Sequence, residues 1–198
     1  MSRKFNEEIL VIASHNQGKI SEIALMLEPF GIALTSAKEL KLPVPEETGK
    51  TYLENALLKA RACAAQTSLP ALADDSGVEV AALHGLPGLD TAPYTELHGG
   101  HQAVFAMWAK NPDIMANPKA SFKCVQVLAW PDGHYEHFLG EVEGRLTFPP
   151  RGKGGHGYDP IFIPAGHKFT AAEMTTQEKN AYSHRSLSLN ALIDACIK

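Results

Sequence analysis

Two long β-rich runs, residues 120–130 and 134–146, meet at Pro131-Asp132-Gly133. A tripeptide of this kind between strand-like stretches is a hairpin signal, and a hairpin forbids an all-parallel sheet. The rest of the chain alternates strand and helix patterns. Residues 8–13 read as a buried strand, and a helix opens at Gly18 with Ile20, Ile23, Ala24, Leu27 and Phe30 on one face before Gly31 stops it. Ile32–Thr35 reads as a second strand, and Thr51-Tyr52-Leu53-Glu54 has capping-box spacing at the head of a helix reaching Gln66. Residues 71–73 and 78–82 read as short strands on either side of an acidic, small-residue turn, and residues 99–110 as a helix. Residues 161–163 are strand-like, Thr170 to Glu173 and Thr175 to Glu178 have capping-box spacing, and a last helix opens at Ser183 with Leu187, Ala191, Leu192 and Ala195. The combination predicts an α/β fold with helices flanking a mixed central β-sheet, built as one domain over residues 1–198.

A net charge of −4 gives no general attraction to nucleic acid or to an anionic membrane, so a bound phosphate must be held by local groups. No run of about 18 apolar residues occurs, and acids stand where a signal peptide needs an apolar stretch, so the expected location is cytoplasmic. The three cysteines, Cys63, Cys124 and Cys196, lack CxxC spacing and lie on apolar faces, the habit of buried thiols. Among the nine histidines, His134 and His137 fall on opposite faces of a strand, and His98-Gly99-Gly100-His101 lacks neighbouring ligands for zinc.

Three segments carry candidate chemistry. Ser14-His15-Asn16-Gln17-Gly18-Lys19 follows an apolar strand and opens a helix, where free N–H groups and the positive dipole end favour phosphate. It is not a Walker A loop, and a capped helix with a solvated lysine fits these residues equally well. Asp74-Asp75 and Glu46-Glu47 are acidic pairs; a split pair, Glu47 with Asp75, suits Mg²⁺, which takes one or two carboxylates plus water and phosphate. Adjacent aspartates on a strand point to opposite faces, so only one of Asp74 and Asp75 faces a ligand, and Asp75, nearer the Gly77 turn, is the choice. Gly154-Gly155-His156-Gly157-Tyr158-Asp159 lets backbone approach a flat ligand, with His156 or Tyr158 as a stacking face, although a flexible loop has the same glycine content. Lys179 and Ser183-His184-Arg185 supply donors at the entry of the last helix, and Lys59 is a surface lysine by residue type alone.

Taken in order, Ser14 to Lys19, Glu46-Glu47-Thr48-Gly49, Glu54 to Ala60, Ala73 to Gly77, Pro87-Gly88, Gly157-Tyr158-Asp159-Pro160, Glu178-Lys179 and Ser183-His184-Arg185 resemble the inosine/xanthosine triphosphate pyrophosphatase, or Ham1-like, family. The resemblance implies an elongated two-lobed fold, a homodimer, and Mg²⁺-dependent hydrolysis of dITP, ITP and XTP to the monophosphate and pyrophosphate. It places the metal ligands at Glu47 and Asp75 and the proton acceptor at Asp75, with Ser76 beside it on the substrate. Phosphate contacts fall on Ser14, His15, Asn16, Gln17, Gly18, Lys19 and Lys59, and base contacts on His156, Gly157, Tyr158, Asp159, Lys179, His184 and Arg185. Two departures stand out: His156 replaces an aromatic Phe, and Thr91-Ala92-Pro93-Tyr94 replaces Ser-Ala-Arg-Tyr, so an arginine is missing there. A Maf-type pyrophosphatase of modified pyrimidine nucleotides and a non-catalytic nucleotide-binding protein are the alternative readings.

Overall fold

The computed structural model describes residues 2–198 and contains a six-stranded mixed sheet in the order β2-β1-β3-β4-β5-β6. The strands are β1 (Ile9–Ile12), β2 (Ala33–Ser36), β3 (Ala71–Val80), β4 (Lys119–Ala129), β5 (Tyr135–Leu146) and β6 (Phe162–Pro164). β1 pairs in parallel with β2 and β3, whereas β5 and β6 are antiparallel. β4 and β5 are joined as the hairpin signal requires: Trp130 donates to the His134 carbonyl at 2.9 Å, and Gly133 takes a φ of +91° that suits glycine. The α/β class and the mixed sheet are therefore as the sequence predicts.

The chain forms two compact units, and β3, β4 and β5 contribute residues to both. The first unit comprises the chain up to Asp75 with 124–140 and 185–198; the second comprises 76–123 and 141–184. In the first, strand alternation sorts side chains onto two faces. Leu10, Ile12, Leu72, Leu128 and Trp130 pack against Ile20, Ile23 and Leu27 of α1 (Gln17–Leu27) and against Leu189 and Leu192 of the last helix (His184–Leu192). Ala73, Val125, Val127 and Ala129 meet Ala56 and Ala60 of α2 (Tyr52–Thr67), small residues on both sides that let the helix lie close to the sheet. Thr51 caps α2 by accepting from the Glu54 N–H at 3.1 Å, as its spacing predicts.

The second unit is built on the hydrophobic cluster of Val78, Val80, Val104, Phe105, Trp108, Ile114, Phe122, Tyr158, Ile161 and Phe162. The helix expected over 99–110 is α4 (His101–Trp108), flanked by α3 (Thr91–Leu97) and α5 (Pro112–Ala116). Gly99 and Gly100, at φ +82° and +97°, hold the helix start back to His101 from the expected residue 99. Helix α6 (Thr176–Asn180) carries the complete capping box of Thr175 and Glu178, and the helix over 184–192 is α7.

Two further expectations need correction. The acidic turn does not exist: β3 runs unbroken from Ala71 to Val80 through Asp74-Asp75-Ser76-Gly77. Small and acidic residues that read as a turn are tolerated because both carboxylates find cationic partners inside the fold. Of the four apolar positions read on the last helix, Leu192 is buried and Ala195 packs against the same core, whereas Leu187 and Ala191 are exposed and Arg185, Ser186, Ser188 and Leu189 are buried. A buried ion pair and bonded serines occupy the inward face there, so hydrophobicity alone misplaces it. All three cysteines are free and buried, and among the described residues no helix is long and apolar enough to cross a membrane.

Candidate active site

Alternation along β3 divides the two aspartates as the sequence requires, Asp75 toward α2 and Asp74 toward α1 and α7. Asp75 accepts from Lys59 Nζ of α2 at 3.2 Å, and the same ammonium reaches Glu47 Oε1 at 3.1 Å. Asn55, one turn earlier on α2, donates to Asp75 at 3.3 Å and accepts from the Gly49 N–H at 2.7 Å, so one amide ties the Glu46-Glu47-Thr48-Gly49 loop to the strand. Gly49 permits this closeness: a Cβ there would stand 2.5 Å from Asn55 Oδ1 and 2.7 Å from Glu54 Cβ. Burial raises the Asp75 carboxyl above the usual aspartate range, outweighing the pull of Lys59, and Glu47 adds to the rise. Burial disfavours the Lys59 ammonium, yet Asp75, Asp74 and Glu47 together hold it above its usual value.

Asp74 has a different role. Its carboxylate is 2% exposed and accepts from Lys19 Nζ at 2.9 Å and from Arg185 Nη2 at 3.1 Å. Burial disfavours that charge, but Lys19, Arg185 and Lys59 overcome it and hold Asp74 far below the carboxylate range. Arg185 also donates to Glu22 at 2.8 Å, and Cys124 Sγ lies 3.8 Å from Asp74. Arg185, expected at the base, is held in a buried ion pair with Asp74. Sequence reading set Asp74 aside and overlooked Asn55 and Glu22. The available signal was the helical pattern of α2, which places a polar Asn55 beside the buried Ala56 and Ala60.

Loop Ser14–Lys19 is a capped helix start in every detail. Asn16 Oδ1 accepts from Gly18 N at 2.9 Å and Lys19 N at 3.3 Å; His15 Nε2 bonds the Leu42 carbonyl and Gln17 accepts from Lys38. Asn16 N donates to Ser14 Oγ at 3.2 Å. The loop still presents the N-terminus of an eleven-residue helix, with Lys19 partly exposed beside it.

In the second unit, Asp159 organises the glycine-rich loop. Its Oδ2 accepts from Lys179 Nζ at 2.7 Å and from the His156 N–H at 2.8 Å, and a Cβ on Gly155 would collide with that carboxylate. Asp159, Lys179 and His184 line a cavity of about 10 Å³ together with Tyr182, whose phenol is pushed up to about 12, first by burial and then by Asp159. His184 stacks on Phe122 with centroids 5.0 Å apart. Tyr158, expected as a stacking face, is instead buried: it stacks on Trp108 at 5.2 Å and its hydroxyl bonds Thr95 at 2.7 Å. His156 and Gly157 are not buried, and Ser76 is half-buried on β3.

Two carboxylates and a lysine converging through α2 and β3, a helix N-terminus beside a lysine, and a separate glycine loop with a bonded Lys–Asp pair form the pattern of a phosphate-handling hydrolase. The model of the Ham1 family matches residues 10–195. The chain belongs to the Ham1 family. It is similar to a dITP/XTP pyrophosphatase of Ruegeria pomeroyi, 45% identical over 99% of this chain and 98% of that one. It is also similar to a dITP/XTP pyrophosphatase of Rhodospirillum centenum, 47% identical over 98% and 97%. Among solved structures, a HAM1 protein from Coxiella burnetii has a TM-score of 0.85 at 39% identity, covering 94% of this chain and 96% of that one. Ham1 membership agrees with the mixed-sheet α/β fold and with the ordered motifs of the sequence.

Proposed function

We propose that this Ham1-family chain, as a single domain over 1–198, hydrolyses dITP, ITP and XTP to the nucleoside monophosphate and pyrophosphate. Such an activity keeps deaminated purines out of DNA and RNA. The observation that carries the reading is the convergence of Glu47 and Asp75 on one cation, Lys59 Nζ, at 3.1 and 3.2 Å, in a chain similar over its length to dITP/XTP pyrophosphatases. Their oxygens suit a hard cation, and a pair of carboxylates lies within the one or two that Mg²⁺ takes when water and phosphate complete its shell. Among the described residues no group of three or more His, Cys, Asp or Glu forms a rival centre.

Glu47 and Asp75 would hold Mg²⁺, which supplies charge neutralisation on the phosphates when bound. Lys19, Lys59 and the loop Ser14-His15-Asn16-Gln17-Gly18 at the positive end of the α1 dipole receive the triphosphate, with Ser76 beside it. Asp75, with its carboxyl raised by burial, takes the proton from the attacking water as the α-phosphorus–oxygen bond to pyrophosphate breaks. Asp74 and Arg185 hold Lys19 in place from beneath. The base is received by His156, Gly157, Lys179 and His184, with Asp159 and Tyr158 setting the loop. Donors there answer the 6-oxo group of hypoxanthine and xanthine, whereas the 6-amino group of adenine leaves them unpaired. The functional form is a homodimer in the cytoplasm, with nucleoside triphosphates rather than nucleic acid as partners.

The test is pyrophosphate release from ITP, dITP, XTP, GTP, ATP and UTP with Mg²⁺. Preference for the deaminated purines supports the reading; preference for UTP points to the pyrimidine-type alternative, and binding without turnover to a nucleotide-binding protein. Asp75→Asn lowers turnover of ITP at least ~10²-fold with ITP still bound, and near-normal turnover removes Asp75 from the chemistry.

A further inference from the structure

The motif His98-Gly99-Gly100-His101 has no part in the reading above, yet it is tied to the glycine loop of the second unit. Thr95 joins the two segments. Its carbonyl accepts from the Gly100 N–H at 2.8 Å and its buried hydroxyl bonds Tyr158 Oη at 2.7 Å. Nothing lies within 4 Å of a Cβ built on Gly100, so the diglycine is there for its positive-φ turn and not for want of space. That turn sets His101 at the head of α4 with its ring edge-on to Tyr158, centroids 5.3 Å apart, and 6.2 Å from the Phe105 ring. His101 Nε2 lies 3.8 Å from the position a Cβ would take on Gly157, and no other heavy atom counted in that surrounding comes nearer. The exposed imidazole, held by aromatic packing, therefore stands at van der Waals distance over the bare side of Gly157.

We infer that His101 is a base-binding residue, an aromatic wall beside Gly157 against which the purine packs. This inference rests on the proposed nucleotide substrate and on the assignment of the 156–159 loop to the base. Stacking against a flat base is chemistry any aromatic ring supplies, and the geometry needs no charge on the imidazole. Partial desolvation of the ring lowers the His101 pKa from the usual histidine value, which favours the neutral form.

The experiment is calorimetric binding of IMP and of pyrophosphate, each with Mg²⁺, to the wild-type protein, His101→Ala and His101→Phe. Ala weakens IMP at least about fivefold and leaves pyrophosphate within about twofold, because pyrophosphate has no base; Phe restores IMP to within about twofold. The ITP-to-inorganic-triphosphate ratio of kcat/KM falls in step for Ala. IMP affinity unchanged in Ala overturns the inference, as does equal loss of IMP and pyrophosphate, or a Phe variant as weak as Ala. A wild-type protein that turns over none of the purine triphosphates overturns the functional reading itself, whereas normal wild-type turnover with silent variants overturns only the role of His101.

Discussion

Arg185→Met breaks the buried pair with Asp74 beneath the phosphate loop, together with the Arg185–Glu22 contact. The guanidinium is 5% exposed and the Asp74 carboxylate 2%, and the two meet at 3.1 Å, so the charges are almost fully withdrawn from water. Removing one partner of such a pair costs about 3–5 kcal/mol, since the other charge stays buried. Lys19 remains 2.9 Å from Asp74, which places the loss at the lower end, about 3 kcal/mol. For a chain of this size that is a fall in Tm of about 6–12 °C. Urea unfolding with unchanged m measures it directly. Adding Asp74→Asn to Arg185→Met then costs less than Asp74→Asn alone, with a coupling of at least about 1 kcal/mol, because the neutral amide no longer needs the guanidinium. The pH sign follows from the depressed Asp74 pKa. The carboxylate contributes stability above its unfolded pKa of about 3.9, and that stability drains away as pH falls below it toward the much lower folded value. Wild type therefore loses more on acidification than Arg185→Met does. A loss under about 1 kcal/mol in Arg185→Met, or strict additivity in the double variant, refutes this account.

Lys19→Ala weakens ITP and GTP by a similar factor in steady-state kinetics; a change in their ratio beyond ~tenfold, or ~1.4 kcal/mol, moves this lysine to the base. Gly49→Ala costs about 1–3 kcal/mol in thermal unfolding because the new methyl meets Asn55 and Glu54. By displacing the loop that carries Glu47, it also raises the Mg²⁺ concentration for half-maximal activity several-fold, and an unchanged Mg²⁺ titration separates Gly49 from the metal site. Burial pushes the Cys124 thiol up to about 12, so its thiol form is favoured in the fold and stability is lost as pH rises above the unfolded thiol pKa of about 8.5. At pH 10 the native protein resists iodoacetamide at all three cysteines, and fast native labelling of Cys124 contradicts its burial.

Strong local signals were easy to read from the sequence. The hairpin at Pro131-Asp132-Gly133, the caps of Thr51 and Thr175 and the strand–helix alternation each depend on chemistry within a few residues, and each is in the structure. The acidic stretch of β3 failed for the opposite reason. Whether Asp74-Asp75-Ser76-Gly77 is a turn or an unbroken strand depends on cations supplied from Lys19, Lys59 and Arg185, and no local pattern reports a partner 111 residues away. The same long-range pairing accounts for the missed start of α7, where Arg185 faces inward and Leu187 outward, although Leu192 is buried as read.

The candidate site divides along the same line. Strand alternation gave the split between Asp74 and Asp75; the choice of Asp75 rested on a Gly77 turn that β3 does not make, although Asp75 is the carboxylate that shares Lys59 with Glu47. Alternation states that the second aspartate faces away without stating what it does there, and acids are seldom buried unless paired. The structure supplies the pair, and the consequence is mechanical. β3 presents one carboxylate to α2 and anchors the other under α1 and α7, so the strand that carries Asp75 is held on its opposite face by the ion pairs that also hold Lys19. A substitution at Asp74 should therefore change the phosphate loop and the reacting carboxylate together, although Asp74 is itself proposed to touch neither substrate nor metal.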